Sequence, residues 1–260
     1  MTQSVGWNVF VDTQAQIEQR RLRLLEQVFD PFTHSNLQRT GVAYGQRCLE
    51  VGAGAGSIAR RMAELVGADN VLATDVSTAF LEPLRELGIA VLEHDVTTDE
   101  SPGSFDLIHA RFVLEHLVER EAVLRRLASW LRPGGWLVIE IGTTLPALSS
   151  HPATARSMTT LNETLRRHVG TDPGWARTFP VPLEQAGLVE CGAEGRILPA
   201  RGQSPLAGWL KETTKLAEKS AVASGMITQA ELDEAYALYD DPDFVDYTWM
   251  TVATWGRRAQ

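Results

Sequence analysis

Residues 48–57 read Cys48-Leu49-Glu50-Val51-Gly52-Ala53-Gly54-Ala55-Gly56-Ser57. Cys48 to Val51 has strand character, three alternating glycines follow, and Ile58 to Val66 reads as a helix. Glycines between a strand and a helix let the backbone turn tightly and approach a ligand closely. Such a turn alone does not identify the ligand, because dinucleotide sites also have one. The dinucleotide spacing G-x-G-x-x-G would place glycine where Ser57 stands. Glu50 would also repel a pyrophosphate inside a poorly screened cleft, but it would attract a ligand carrying an ammonium and a sulfonium.

Working outward, short apolar runs alternate with amphipathic helices from about residue 46 to 142. Strands are predicted at 71–74, 89–92, 107–110 and 136–141. Ser77 is a plausible N-cap for the helix after the second strand. Val123, Leu124, Leu127, Trp130 and Leu131 form one face of a helix ending near Pro133, and Gly134-Gly135 turns the chain into the fifth strand. This alternation predicts an α/β fold with a mostly parallel sheet covered by helices on both faces. In such sheets ligands lie beyond the carboxyl ends of the strands, near the topological switch point.

The flanks are more helical. A helix is predicted at 14–29 from Ile17, Leu24, Leu25 and Val28, and others at 153–168 and 182–187, before an extended stretch at 188–198. Ser204-Pro205 opens a helix to about 223, and Thr228 with Glu231 forms a capping box for one to about 239. Phe244 to Trp255 suits a final strand. One domain is expected, with an N-terminal helical lid at 1–45, a core at 46–142, and C-terminal strands with helical insertions at 143–260 that build an acceptor pocket.

Three carboxylates stand at predicted strand ends. Glu50 follows the first strand. Asp75 follows the second, where it can accept both hydroxyls of a ribose, a device NAD enzymes share. Asp95 follows the third, placed to accept from the exocyclic amine of adenine, with Val96 to pack on the ring.

Together the stretches CLEVGAGAG (48–56), ATDVS (73–77), LEHDV (92–96), FDLIHARFVLEHL (105–117) and LRPGGWLVIE (131–140) resemble the class I S-adenosylmethionine-dependent methyltransferases. The resemblance is firm over about 46–142 and looser in the flanks, toward bacterial small-molecule enzymes. It implies a Rossmann-like seven-stranded sheet and S-adenosyl-L-methionine as cofactor. Glu50, Gly52, Ala53, Gly54 and Gly56 would line its methionine end, Asp75 and Val76 its ribose, Asp95 and Val96 its adenine. Ala110 and Arg111 would lie near the methionine moiety. The implied activity is methyl transfer to O, N or C of a small molecule, with secondary metabolism as the implied setting. Two alternatives remain at this point: a relative that binds the cofactor without methyl transfer, and, more remotely, an NAD-dependent oxidoreductase.

Where the acceptor must lose a proton, a general base is needed. His116, in Leu114-Glu115-His116-Leu117, is the first candidate and His109 the second. Arg21 would meet the cofactor carboxylate if the N-terminal helix closes over the site. Trp209, Tyr236, Tyr239 and Trp249 are candidates for an aromatic pocket lining.

The net charge of −9 and the scattered arginine pairs argue against a nucleic-acid partner. No Asn/Asp-Pro-Pro-Tyr follows the fourth strand, so an extruded DNA base is not the expected target. No apolar run is long enough to span a membrane. No secretory signal is visible at Met1–Ser4, and two cysteines without metal-ligand spacing fit a reducing cytoplasm. No metal is expected, and nothing in the sequence bears on the oligomeric state.

Overall fold

The structure, a computed structural model, describes residues 15–260. The expectations at Met1–Ser4 and for the first part of segment 1–45 lie outside the described residues. The chain runs α1 (Ala15–Arg39), β1 (Cys48–Val51), α2 (Ser57–Val66), β2 (Val71–Asp75), α3 (Glu82–Glu86), β3 (Ala90–Glu93), β4 (Phe105–Arg111), α4 (Arg120–Trp130) and β5 (Leu131–Thr144). It continues through α5 (Pro152–His168), α6 (Val181–Gln185), β6 (Val189–Ile197), β7 (Ala200–Arg201), α7 (Pro205–Ala223), α8 (Gln229–Asp240), β8 (Val245–Asp246) and β9 (Trp249–Arg257).

Seven strands form one sheet in the order β3-β2-β1-β4-β5-β9-β6, as the seven-strand expectation required. Strands β3 to β5 pair in parallel, and β9 inserts antiparallel between β5 and β6. The chain builds outward from β1 through β2 to β3, then returns to the other side of β1 as β4. That reversal places the switch point between β1 and β4.

Alternation along each strand feeds two cores. Leu49, Val51, Ile108 and Ile139 pack toward α4 with Leu124 and Leu127. Cys48, Leu107 and Val138 pack on the opposite face with Ile58 and Met62 of α2. Burial on both sides is why these strands read as continuous apolar runs. A third core joins α1, α5, α7 and α8 through Phe29, Met158, Leu161, Trp209 and Tyr236.

Helix α1 extends past the expected end at residue 29 and passes through Pro31. An internal proline costs a helix about 3 kcal/mol, and a buried polar network on the far side offsets it. Thr33 Oγ1 donates to Glu140 Oε2 (2.6 Å), and Asn36 Nδ2 donates to Glu140 Oε1 (2.8 Å). Arg111 donates to Thr33 Oγ1 (2.8 Å) and pairs with Asp30 (2.9 Å). Glu140 is fully buried on β5, so both of its oxygens depend on these helix donors.

Three other boundaries differ from expectation. Strand β5 begins at Leu131 and absorbs Gly134-Gly135 through a register shift against β4. Ser77 does not cap a helix; its N–H donates to Asp75 Oδ1, and α3 begins at Glu82. The last long strand begins at Trp249, while Val245–Asp246 forms a two-residue strand with β7. The Asp246 carboxylate accepts from Ser149 and Thr154, which turns the chain between the two strands. The caps at Ser204 and Thr228 form as read from sequence.

Replacing Glu140 by Ala strands Asn36 Nδ2 without an acceptor in the interior and leaves Thr33 Oγ1 only its longer bond to Phe29 O (3.3 Å). Urea unfolding followed by circular dichroism should show a loss of about 2–4 kcal/mol.

Candidate functional site

A cleft of about 720 Å³ opens over the carboxyl ends of the parallel strands, beside the switch point. Ligand sites commonly occupy 300–1,000 Å³. Its floor is the β1–α2 loop, one wall comes from the ends of β2 and β3, and its cover is contributed by α1, α5 and α7.

Gly52 adopts φ +69, and a Cβ there would lie 2.3 Å from Val113 Cγ2, so both backbone and neighbour demand glycine. The loop is held from below by the Ala53 N–H donating to Thr74 O (2.9 Å). Asp75 then clasps it from the side. Its Oδ2 accepts from the Gly54 N–H (3.0 Å) and its Oδ1 from the Ser77 N–H (3.1 Å). Burial pushes the Asp75 carboxyl up, and the backbone N–H groups of Gly54, Ser77 and Val76 pull it back.

Glu50, Gly52, Ala53, Gly54, Asp75, Val76, Asp95, Val96, Arg111 and His116 all line this one cleft. Two of the expected cofactor-binding residues, and one of the two candidate bases, do not. Gly56 turns the chain into α2 and packs against Leu84, and Ala110 is buried within the sheet core. Asp95 is partly committed, since Oδ1 accepts from the Thr97 N–H and hydroxyl (2.9 and 2.6 Å). Arg111 reaches the cleft but is held by Asp30 and Thr33 of α1.

The two histidines separate. His109 is fully buried and lies outside the cleft lining, so it has no access to an acceptor. Its Nδ1–H donates to Glu50 Oε2 at 2.7 Å. Burial raises the Glu50 carboxyl, and the adjacent His109 opposes that rise. This pair, which the sequence reading did not foresee, fixes Glu50 under the loop. His116 does line the cleft and shares a hydrogen bond with Thr171 Oγ1 (2.8 Å). Burial, then the charges of Arg21 and Arg120, hold its imidazole down to about 3, so it is neutral at physiological pH.

Of the four aromatic candidates, Trp209 and Trp249 line the cleft. Tyr236 and Tyr239 belong to the helical core instead, where the Tyr236 hydroxyl donates to Glu218 (2.8 Å). Phe112 joins the cleft wall with φ +56, a left-handed conformation that costs a bulky residue about 1–3 kcal/mol. Glu115 and Thr213 also line it and were not singled out from sequence. Glu115 sits beside His116 in the same motif, and Thr213 follows Trp209 by one helical turn, which was the available signal. Arg21 lines the cleft as well, bound to Glu18 through two 2.7 Å hydrogen bonds.

Residues 49–137 match the model of a family described as a methyltransferase domain. The chain is 30% identical over 203 residues to methyltransferase str3 of Strobilurus tenacellus, covering 74% of this chain and 72% of that protein. It is 31% identical over 176 residues to methyltransferase str2 of the same organism, covering 65% of this chain and 62% of the relative's length. Its fold is similar to Haemonchus contortus phosphoethanolamine N-methyltransferase 2, solved with phosphomonomethylethanolamine and S-adenosylhomocysteine. That match has a TM-score of 0.60 and 17% identity over 96% of this chain and 59% of the other. By this relationship and by the motifs along its strand ends, the chain belongs to the class I S-adenosylmethionine-dependent methyltransferases.

Proposed function

We propose that the protein transfers a methyl group from S-adenosyl-L-methionine to a small-molecule acceptor held under α1, α5 and α7, with secondary metabolism as the setting. The observation that carries this reading is the convergence of Glu50, Asp75 and Asp95, from three adjacent strands, on one cleft that continues into an aromatic compartment.

The residues fit the cofactor. Glu50 answers a cationic amino-acid end, which a pyrophosphate would not tolerate. Asp75 accepts from sugar hydroxyls while keeping its loop contacts, and Val76 and Val96 flank the base with apolar surface. When bound, S-adenosylmethionine supplies a methyl carbon already activated by a sulfonium. The chain orients the nucleophile behind that carbon and excludes water, and positioning of this kind contributes roughly 7–11 kcal/mol. In this reading α1 is the lid. Its Glu18, Arg21, Leu22, Leu25 and Glu26 cover the cleft, and Arg21 faces the ligand's carboxylate.

Among the described residues no helix is long and apolar enough to cross a membrane. Both cysteines are free thiols, which supports a cytoplasmic setting. The net charge of −9 supports a small-molecule partner over a nucleic acid.

Calorimetry should detect S-adenosylhomocysteine binding and no NADH binding; the reverse pattern would overturn the assignment. Asp75→Ala should weaken S-adenosylhomocysteine by on the order of 10²-fold with an unchanged circular dichroism spectrum, through loss of charge-assisted hydrogen bonds of about 1.5–3 kcal/mol each. Gly52→Ala should lower affinity by about tenfold or more and destabilise the fold by about 1–3 kcal/mol, because its Cβ displaces Val113.

A further inference from the structure

Beyond the nucleoside end, the cleft is lined by side chains one helical turn apart on two helices. Leu161 and Leu165 come from α5, and Trp209 and Thr213 from α7. Phe112 and Trp249 close this compartment, with ring centroids 6.1 and 4.6 Å from Trp209. Such a surface suits an apolar, planar ligand.

Polar side chains interrupt this surface: Asn162, Thr143 and Thr144 are paired within the protein, whereas three others carry an atom that is not. Trp209 Nε1, Thr213 Oγ1 and Glu115 Oε2 are buried and have no hydrogen-bond partner among the described residues. Their side chains are 2%, 5% and 2% exposed. Orphaned buried groups are costly, about 1–3 kcal/mol each, and native proteins keep few of them. Indole N–H is a donor only, so its partner must be an acceptor such as a carbonyl, ether or hydroxyl oxygen. An ammonium has no lone pair to offer it.

Glu115 is anchored differently from a free surface carboxylate. Its Oε1 accepts the Gly142 N–H (3.0 Å) from β5, which leaves Oε2 available. Arg120 of α4 is the charge bearing on it, and that arginine also lies 3.6 Å from Asp172. Arg21 of α1, paired with Glu18, bears on the neighbouring His116.

Resting on the methyltransferase reading, we infer that the acceptor is a neutral, largely apolar molecule bearing oxygen functions, and that it presents a hydroxyl to Glu115, which takes the proton. The hydroxyl oxygen bonds the methyl carbon as the carbon–sulfur bond breaks, and that bond's electron pair stays on sulfur. The hydroxyl proton moves to Glu115 Oε2 and then to solvent. Burial pushes the Glu115 carboxyl up to about 7, against the pull of the Gly142 N–H and Arg120. A base poised near the working pH is the effective one, whereas His116, held far below it, has little drive to take a proton and serves as a wall and hydrogen-bonding group.

The test uses the full-length protein loaded with S-adenosylhomocysteine, and calorimetry with three probes: 2-naphthol, naphthalene and glycine betaine. Expected are binding of 2-naphthol, at least tenfold weaker binding of naphthalene, and no binding of glycine betaine. Thr213→Val and Trp209→Phe should each weaken 2-naphthol by about 5–10-fold without altering S-adenosylhomocysteine affinity. With S-adenosylmethionine, formation of 2-methoxynaphthalene should rise with pH through about 7. Glu115→Gln keeps an oxygen for the Gly142 N–H and should lower that rate by on the order of 10²–10⁴-fold, flatten the pH profile and leave 2-naphthol binding within a few-fold. Betaine binding in place of 2-naphthol, or no probe binding while S-adenosylhomocysteine binds, overturns the inferred acceptor but not the methyltransferase reading. Failure to bind S-adenosylhomocysteine removes both. A Glu115→Gln variant with normal rate and pH profile removes the role of Glu115.

Discussion

Glu140, a carboxylate buried in the middle of β5, holds α1 across the strand ends through Thr33 and Asn36. Without that tie the helix would have reason to stop at Pro31, and the cleft would lack one wall. Arg111 extends the same network from the end of β4 to Asp30. The cover and the floor are thus joined by groups that cannot be solvated separately once buried. The half of α1 before Pro31, which carries Leu22 and Leu25 to the cleft, packs through Leu25 and Phe29 into the core shared with α7.

The cleft divides its charges by depth. Glu50 is hydrogen-bonded to His109, itself fully enclosed. Asp75 is spent partly on backbone donors, and Asp95 on Thr97. Farther along the cleft, toward α5 and α7, aromatic rings join the lining, and among its polar groups Trp209 Nε1, Thr213 Oγ1 and Glu115 Oε2 have no partner among the described residues. In the proposed reading one end takes the cationic nucleoside and the other an uncharged acceptor. Phe112, held at positive φ, belongs to the chain turn that separates them.

The central sheet was legible because burial on both faces leaves an unmistakable apolar rhythm, and because glycines and caps punctuate it. The carboxylates that converge on the cleft could be read from their positions at strand ends. Helix α1 was read too short, since local propensity sees Pro31 as a stop and cannot see Glu140 more than a hundred residues away. Separation in sequence, here 59 residues, also hid the partner of Glu50. His109 is a candidate base by its place within the fourth strand, yet it sits in register beside Glu50, bonds its carboxylate and stays outside the cleft lining. Thr213 and Glu115 are ordinary letters in amphipathic segments, and only a missing partner in three dimensions marks them out. Tyr236 and Tyr239 show the opposite error: aromatic residues near a pocket in sequence that pack into the neighbouring core.

Asp75 clasps Gly54 and Ser77 through bonds made wholly within the protein. The floor of the cleft is therefore already ordered, and an arriving nucleoside gives up little chain entropy there. If α1 is the lid of the proposed reading, exchange of spent for fresh cofactor would be paced by the cover and its anchors rather than by the loop.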